Sequence, residues 1–205
     1  MAKVEGLKEK LHYPLYDAFY VPPPSNGSTP TFARMMTDPR VIRFFVDVQN
    51  KTKLETNMQA AGTLPSENTF EARAMRVVVS SLQPRKDDTK GERTRLMINE
   101  PEILATLIYS SVTSFIVGAK IMIEMGTFGF PAGAGISSGF PAVANHGAPD
   151  PMATFKFAEP VQIDSNQNFR VEMQFPRDVP EHLANVHGPL HIWVQLDGYL
   201  IRDVQ

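Results

Sequence analysis

The 205-residue chain contains no cysteine. That absence excludes disulfides, thiolate metal sites and cysteine nucleophiles, while leaving the compartment open. Nor does either sign of charge dominate: 20 Lys and Arg against 22 Asp and Glu leave a formal net charge of −2. Such a balance argues against a dedicated nucleic-acid coat or tail, which carries a strongly basic footprint. No run of 18 consecutive apolar residues occurs, so no membrane-spanning helix is expected. Contact with a membrane surface stays open, but no residue pattern points to it. The charged first ten residues lead into no apolar stretch, because His12, Pro14 and Asp17 interrupt residues 11–20; we expect a soluble protein made without a cleaved leader.

What the chain does have is punctuation, with 17 prolines and 13 glycines, which favours many short elements over long helices. Residues 1–35 read as an extended arm. Prolines 14, 22, 23, 24 and 30 exclude a regular helix or a central strand there. Tyr13, Tyr16, Phe19 and Tyr20 weigh against a flexible tail, since disordered segments are poor in aromatics. An arm docked on its own or a neighbouring subunit is the expectation, with residues 36–205 forming one β-sandwich domain.

Within that domain, residues 36–66 fit a helical turn or a strand equally. Residues 69–79 change phase, as a strand with a bulge near 74–75 would. Residues 83–95 form a polar loop. A short helix is expected to open at Asn99-Glu100-Pro101, with Ile103, Leu104, Leu107 and Ile108 as its apolar stripe. From residue 112 to 125 the period is two, read as one long strand. Residues 168–175 alternate cleanly, Phe169, Val171, Met173 and Phe175 against Arg170, Glu172 and Gln174. Residues 189–202 alternate as well, and Asp197-Gly198 fits either a hairpin turn or a bulge. Strands that do not alternate with helices indicate a mostly-β fold: a single jelly-roll-like antiparallel β-sandwich with one or two short helices and an extended N-terminal arm.

Chemical signals are weak. Gly133, Gly135 and Gly139 lie in a glycine loop, but Phe140-Pro141 stands where a phosphate-binding helix would continue. His182, His187 and His191 fall within ten residues, yet Gly188-Pro189 forbids a helix uniting the last two, and on a strand they sit about 13 Å apart. Ser137, Ser138, His146 and Asp150 are close in sequence without a nucleophile elbow. Glu172 and Asp197 face each other across a sheet only in the sense that any sandwich offers such pairs. No catalytic, metal or cofactor residue is therefore assigned. Residues 126–151 hold six glycines and four prolines; Phe128, Phe130, Ile136, Phe140 and Val143 would make this loop an apolar patch outside the sandwich. Trp193 falls on the face opposite Leu190, Ile192 and Val194, where it either meets a partner or carbohydrate or is covered.

The segments Asn168-Phe-Arg-Val-Glu-Met-Gln-Phe-Pro176 and Leu190-His-Ile-Trp-Val-Gln-Leu-Asp-Gly198-Tyr-Leu-Ile-Arg202 resemble the paired closing strands of jelly-roll virion proteins of tailless or uncultured bacterial viruses. Thr63-Leu-Pro65 leading into Asn68-Thr-Phe70, and the 111–125 strand running into a Pro/Gly loop, fit the same layout. The resemblance covers residues 55–205. It implies an eight-stranded sandwich, a virion location, partners among its own copies and other virion proteins, and no catalysis. The missing basic arm departs from capsids that neutralise a genome directly. The leading expectation is a structural subunit of a capsid or virion shell, with Tyr13, Tyr16, Phe19, Tyr20, Phe128, Phe130, Phe140 and Trp193 as interface candidates. Its rivals are a carbohydrate-binding sandwich built on Trp193 and a hydrolase using the 137–150 loop.

Overall fold

The structure is a computed structural model that describes residues 8–25, 28–79, 100–132, 137–139, 143–145 and 151–204. Two antiparallel sheets face each other. The first contains β1 (Lys8–His12), β2 (Leu15–Val21), β4 (Thr69–Val79), β9 (Phe155–Ile163) and β11 (Leu190–Asp203), and the second β3 (Val41–Phe44), β5 (Val112–Val117), β6 (Lys120–Gly126) and β10 (Phe169–Gln174). A small hairpin pairs β7 (Ser137–Gly139) with β8 (Val143–Asn145). Among the described residues there are three short α-helices: α1 (Phe32–Met35), α2 (Glu100–Ser110) and α3 (Glu181–Ala184).

The pairing has a simple logic. β2 pairs with β11, β3 with β10, β4 with β9 and β5 with β6. A long antiparallel ribbon, folded so that its first strand meets its last, produces this nesting, and wrapping that ribbon over a core gives the two sheets of a jelly roll. Strand directions alternate, so connections alternate between two ends. One end carries α1, α2, residues 127–132 and 151–154, and α3. The other carries the 45–68 loop, the two-residue turn at Gly118-Ala119 and residues 164–168.

Alternation places the core. Leu190, Ile192, Val194 and Leu196 face inward from β11, and Phe169, Val171 and Met173 from β10, with Phe175 just beyond it, all buried. Phe32 joins them, edge-on to Phe175 at 6.0 Å and to Phe19 at 5.5 Å. The outer face of β10 is salt-bridged instead: Glu172 pairs with Arg43 and Arg170.

Two expectations are corrected. The segment read as one strand over 112–125 is a hairpin, because Gly118 adopts a left-handed φ of 60° and turns the chain. The N-terminal segment is extended and docks on its own chain: β1 and β2 lie along one edge of β11, split at Pro14, and an edge is where a strand tolerates a missing N–H. Phe130 is core rather than patch, 1% exposed, packed edge-on against Phe155 at 5.4 Å, while its carbonyl accepts the Val77 N–H at 3.1 Å.

Asp197-Gly198 is no turn: β11 runs straight through it along β1 and β2, and its ladder to β4 shifts there because β4 bulges at Arg73 rather than at 74–75. Gly198 is required by close approach, since a Cβ would lie 2.1 Å from the Glu71 carbonyl oxygen. Truncating a buried Phe costs about 3–5 kcal/mol, against roughly ±0.5 kcal/mol for an uninvolved surface site. Phe175→Ala should therefore lower the urea midpoint steeply while Gln174→Ala leaves it in place, and equal midpoints would show the face to be misassigned.

Candidate functional site

At the helical end, three hydroxyls are buried in a row. Ser111 Oγ donates to the Leu107 carbonyl at 2.6 Å and lies 2.7 Å from Thr127 Oγ1, which is 2.8 Å from Thr113 Oγ1. These bonds join the last turn of α2, the start of β5 and the turn after β6, and the Thr127 N–H adds a bond to the Ser111 carbonyl at 3.0 Å. A fully satisfied buried network of this kind fixes backbone position. It holds out two aromatic rings beside it. Tyr109 is 75% exposed, Phe128 61%, and they stack with centroids 6.0 Å apart and planes at 24°. Tyr109 was not among the sequence candidates; it falls off the Ile103, Leu104, Leu107, Ile108 stripe, and that offset is the signal that marks it as surface.

The same end is braced by histidines. His182 Nε2 lies 2.8 Å from Thr106 Oγ1, tying α3 to α2, and His187 Nδ1 lies 2.9 Å from the Pro30 carbonyl oxygen. His191 stacks between Tyr20 (4.2 Å) and Trp193 (4.9 Å) on the outer face of the first sheet. Burial pulls its imidazole below the ordinary value, against the opposing pull of the Glu55 carboxylate. The three histidines that sequence brings close thus serve three separate contacts.

The N-terminal aromatics dock on their own domain. Phe19 packs against the core, Tyr20 joins the His191 stack, and the Tyr16 hydroxyl donates to the Lys53 carbonyl at 2.5 Å. Tyr13 remains 40% exposed, its N–H on the Gly198 carbonyl at 3.2 Å. Trp193 is half-buried, and its Nε1–H donates to the Leu54 carbonyl at 2.8 Å. Phe140, with Ile136, His146, Asp150, the glycine loop at 133–135 and the polar loop at 83–95, lies outside the described residues, as do the side chains of Ser137, Ser138 and Val143.

The 45–68 loop covers the free edge of β2. Asn57 Nδ2 donates to the Pro14 carbonyl at 2.8 Å and its Oδ1 accepts the Tyr16 N–H at 3.0 Å, so edge groups that would template another strand are spent. The loop is anchored by Asp17, a carboxylate on the core side of β2 with 0% exposure. Lys51 Nζ reaches both its oxygens at 2.9 Å, and the Phe45 N–H donates to Oδ2 at 2.7 Å. Phe45 holds a left-handed φ of 69°, a strain of about 1–3 kcal/mol that persists only where the surroundings enforce it. Burial pushes the Asp17 carboxyl up, and Lys51 pulls it part of the way back.

Comparisons with protein-family models, with curated proteins and with solved structures find no match to this chain.

A raised carboxyl favours the folded state when protonated, so its stabilisation is present below the unfolded value, about 3.9, and is lost as pH climbs through the folded value. Lys51→Met removes the counter-pull and raises that value further. The variant should lose about 3 kcal/mol at neutral pH, the low end for breaking a buried pair because Lys51 keeps some water access. Thermal melts between pH 4 and 8 should show the deficit shrinking toward pH 4; a deficit independent of pH would show that Asp17 is not its source.

Proposed function

We propose that the protein is a structural assembly subunit of the capsid type, whose copies pack against one another, and against other virion proteins, through the helical end of the sandwich. The observation that carries this reading is the rigidly seated Tyr109–Phe128 pair at one end of a jelly-roll winding. Jelly rolls serve shells, lectins and cupins alike, so the fold alone does not choose among them. What favours assembly is the energetics of the pair. Two large rings held in water by a buried hydroxyl network lose little conformational entropy when covered, and preorganised aromatics of this sort dominate interface energies. The edges argue for contacts through ends and faces rather than strand addition. Lys10 stands on β1, Lys120 and Glu124 on β6, and Lys156 and Pro160 on β9, residue types that discourage edge-to-edge pairing.

The carbohydrate reading rested on Trp193, whose N–H is engaged by Leu54 and one of whose faces is taken by His191. That leaves the ring pinning a loop, with little free edge to read a sugar.

Removing an interface anchor costs at least about 2 kcal/mol, near 30-fold in affinity. Light scattering of the purified chain at tens of micromolar should therefore report oligomers, and Tyr109→Ser with Phe128→Ser should shift them to monomer with unchanged circular dichroism. A monomeric wild type, or assembly indifferent to the double substitution, would overturn the reading.

A further inference from the structure

The outer face of the first sheet has a dent where three strands lose register together. β4 carries the extra residue Arg73, which shifts its ladder to β11 between Asp197 and Gly198, and β9 jumps from Val161 opposite Ala72 to Lys156 opposite Ala74. Residues 157–160 therefore bow away from the ladder. The result is a partly open cleft of about 630 Å³, within the size range of small-molecule sites. Its polar lining comes from four strands: His12, Arg73, Arg76, Lys156, Asp197 and Tyr199. Phe157, Ala158 and Pro160 supply an apolar wall.

The charges there do not cancel. Asp197 is saturated, accepting from Arg76 Nε at 2.9 Å and from Gln195 Nε2 at 2.8 Å. Glu71, beside the cleft, is shared between Lys10 at 2.6 Å and Arg73, and both cations also lie over the Tyr199 ring, at 4.6 and 5.0 Å. Lys156 is exposed and has no ion pair among the described residues. Among the described residues four cations, Lys10, Arg73, Arg76 and Lys156, thus stand around the cleft against Asp197 and Glu71, both already ion-paired, and exposed Glu159, and His12 adds a further nitrogen donor beside Tyr199 at 5.8 Å. An oxyanion in the recess would complement this excess.

We infer that this cleft is a binding site for a small organic oxyanion, a phosphate or sulfate ester on a ring-sized apolar body, with Lys156 and Arg73 on the anion and Phe157 and Pro160 on the body. The site is separate from the Tyr109–Phe128 end, and so stands or falls independently of assembly. The short, single recess and the chain's net charge of −2 suit a compact ligand rather than a polyanion track.

The test is calorimetric titration of the full chain with phenyl phosphate and phenyl sulfate, with phenol and inorganic phosphate as the separated parts. Both esters should bind saturably, each at least about 10-fold more tightly than phenol or inorganic phosphate, and the stronger of the two identifies the preferred ester. Lys156→Ala, at an exposed position, should weaken the ester about 10-fold, the worth of one charge-assisted hydrogen bond. Ala158→Phe, also exposed, should abolish binding by filling the recess, with the melting temperature unchanged in both variants. No saturable heat with either ester, or affinity unaltered by both substitutions, would overturn the assignment.

Discussion

The fourteen-residue strand β11 is the constraint on which the rest depends. It is paired along both edges, to β1 and β2 on one side and to β4 on the other. Its inward residues Leu190, Ile192, Val194 and Leu196 keep one phase throughout and face the β10 stripe across the core. A strand paired on both sides cannot shift by one residue without turning its whole apolar set to water. Every strand of the first sheet is therefore registered, directly or through β4, against this single segment. The one shift in its ladder to β4, between Asp197 and Gly198 where β4 bulges at Arg73, is also where the outer face becomes concave.

The two faces of the first sheet do different work for that reason. Inside, the alternation is apolar except at Asp17, where a paired carboxylate fixes the 45–68 loop over the free edge of β2. Outside, the aromatic stack of Tyr20, His191 and Trp193 anchors the same loop from the other direction through Leu54. The loop is clamped from both faces, which explains how a long connection stays ordered across residues 45–68 without forming a strand of its own. At the opposite end, the Ser111, Thr127 and Thr113 hydroxyls do the equivalent task for α2 and the turn after β6.

How much of this was legible in the sequence depended on whether the determining contacts were local. Period-two stripes at 168–175 and 189–202 gave the closing strands and their buried faces correctly, and Asn99-Glu100-Pro101 located α2 to within a residue. The sandwich class followed from those elements. Gly118 was counted as one member of an alternating face, because a two-residue turn interrupts the period too briefly to be seen. The Pro-rich start reads as an extended arm docked on its own or a neighbouring subunit, since sequence does not reveal that an edge position of β11 is available to accept it. Phe130 looked like patch for a similar reason: its partner Phe155 is 25 residues away, on a different strand. The cleft was invisible, because it exists only where the β4 bulge at Arg73 and the outward bow of β9 at 157–160 coincide. Of the exposed stacked pair, Phe128 is legible from the composition of its loop, while Tyr109, at the end of a helix, is not.

The central structural claim is that the first strands close on the last, making residues 8–21 an integral part of one cooperative sandwich. Native-state hydrogen–deuterium exchange followed by mass spectrometry tests this most directly. The amides of β2 bonded to β11 should exchange as slowly as those of β4 bonded to β11, and both sets should open together as denaturant is added. Rapid exchange across residues 15–21 while β4 and β11 stay protected would contradict the account, and would return the N-terminal segment to the status of an arm.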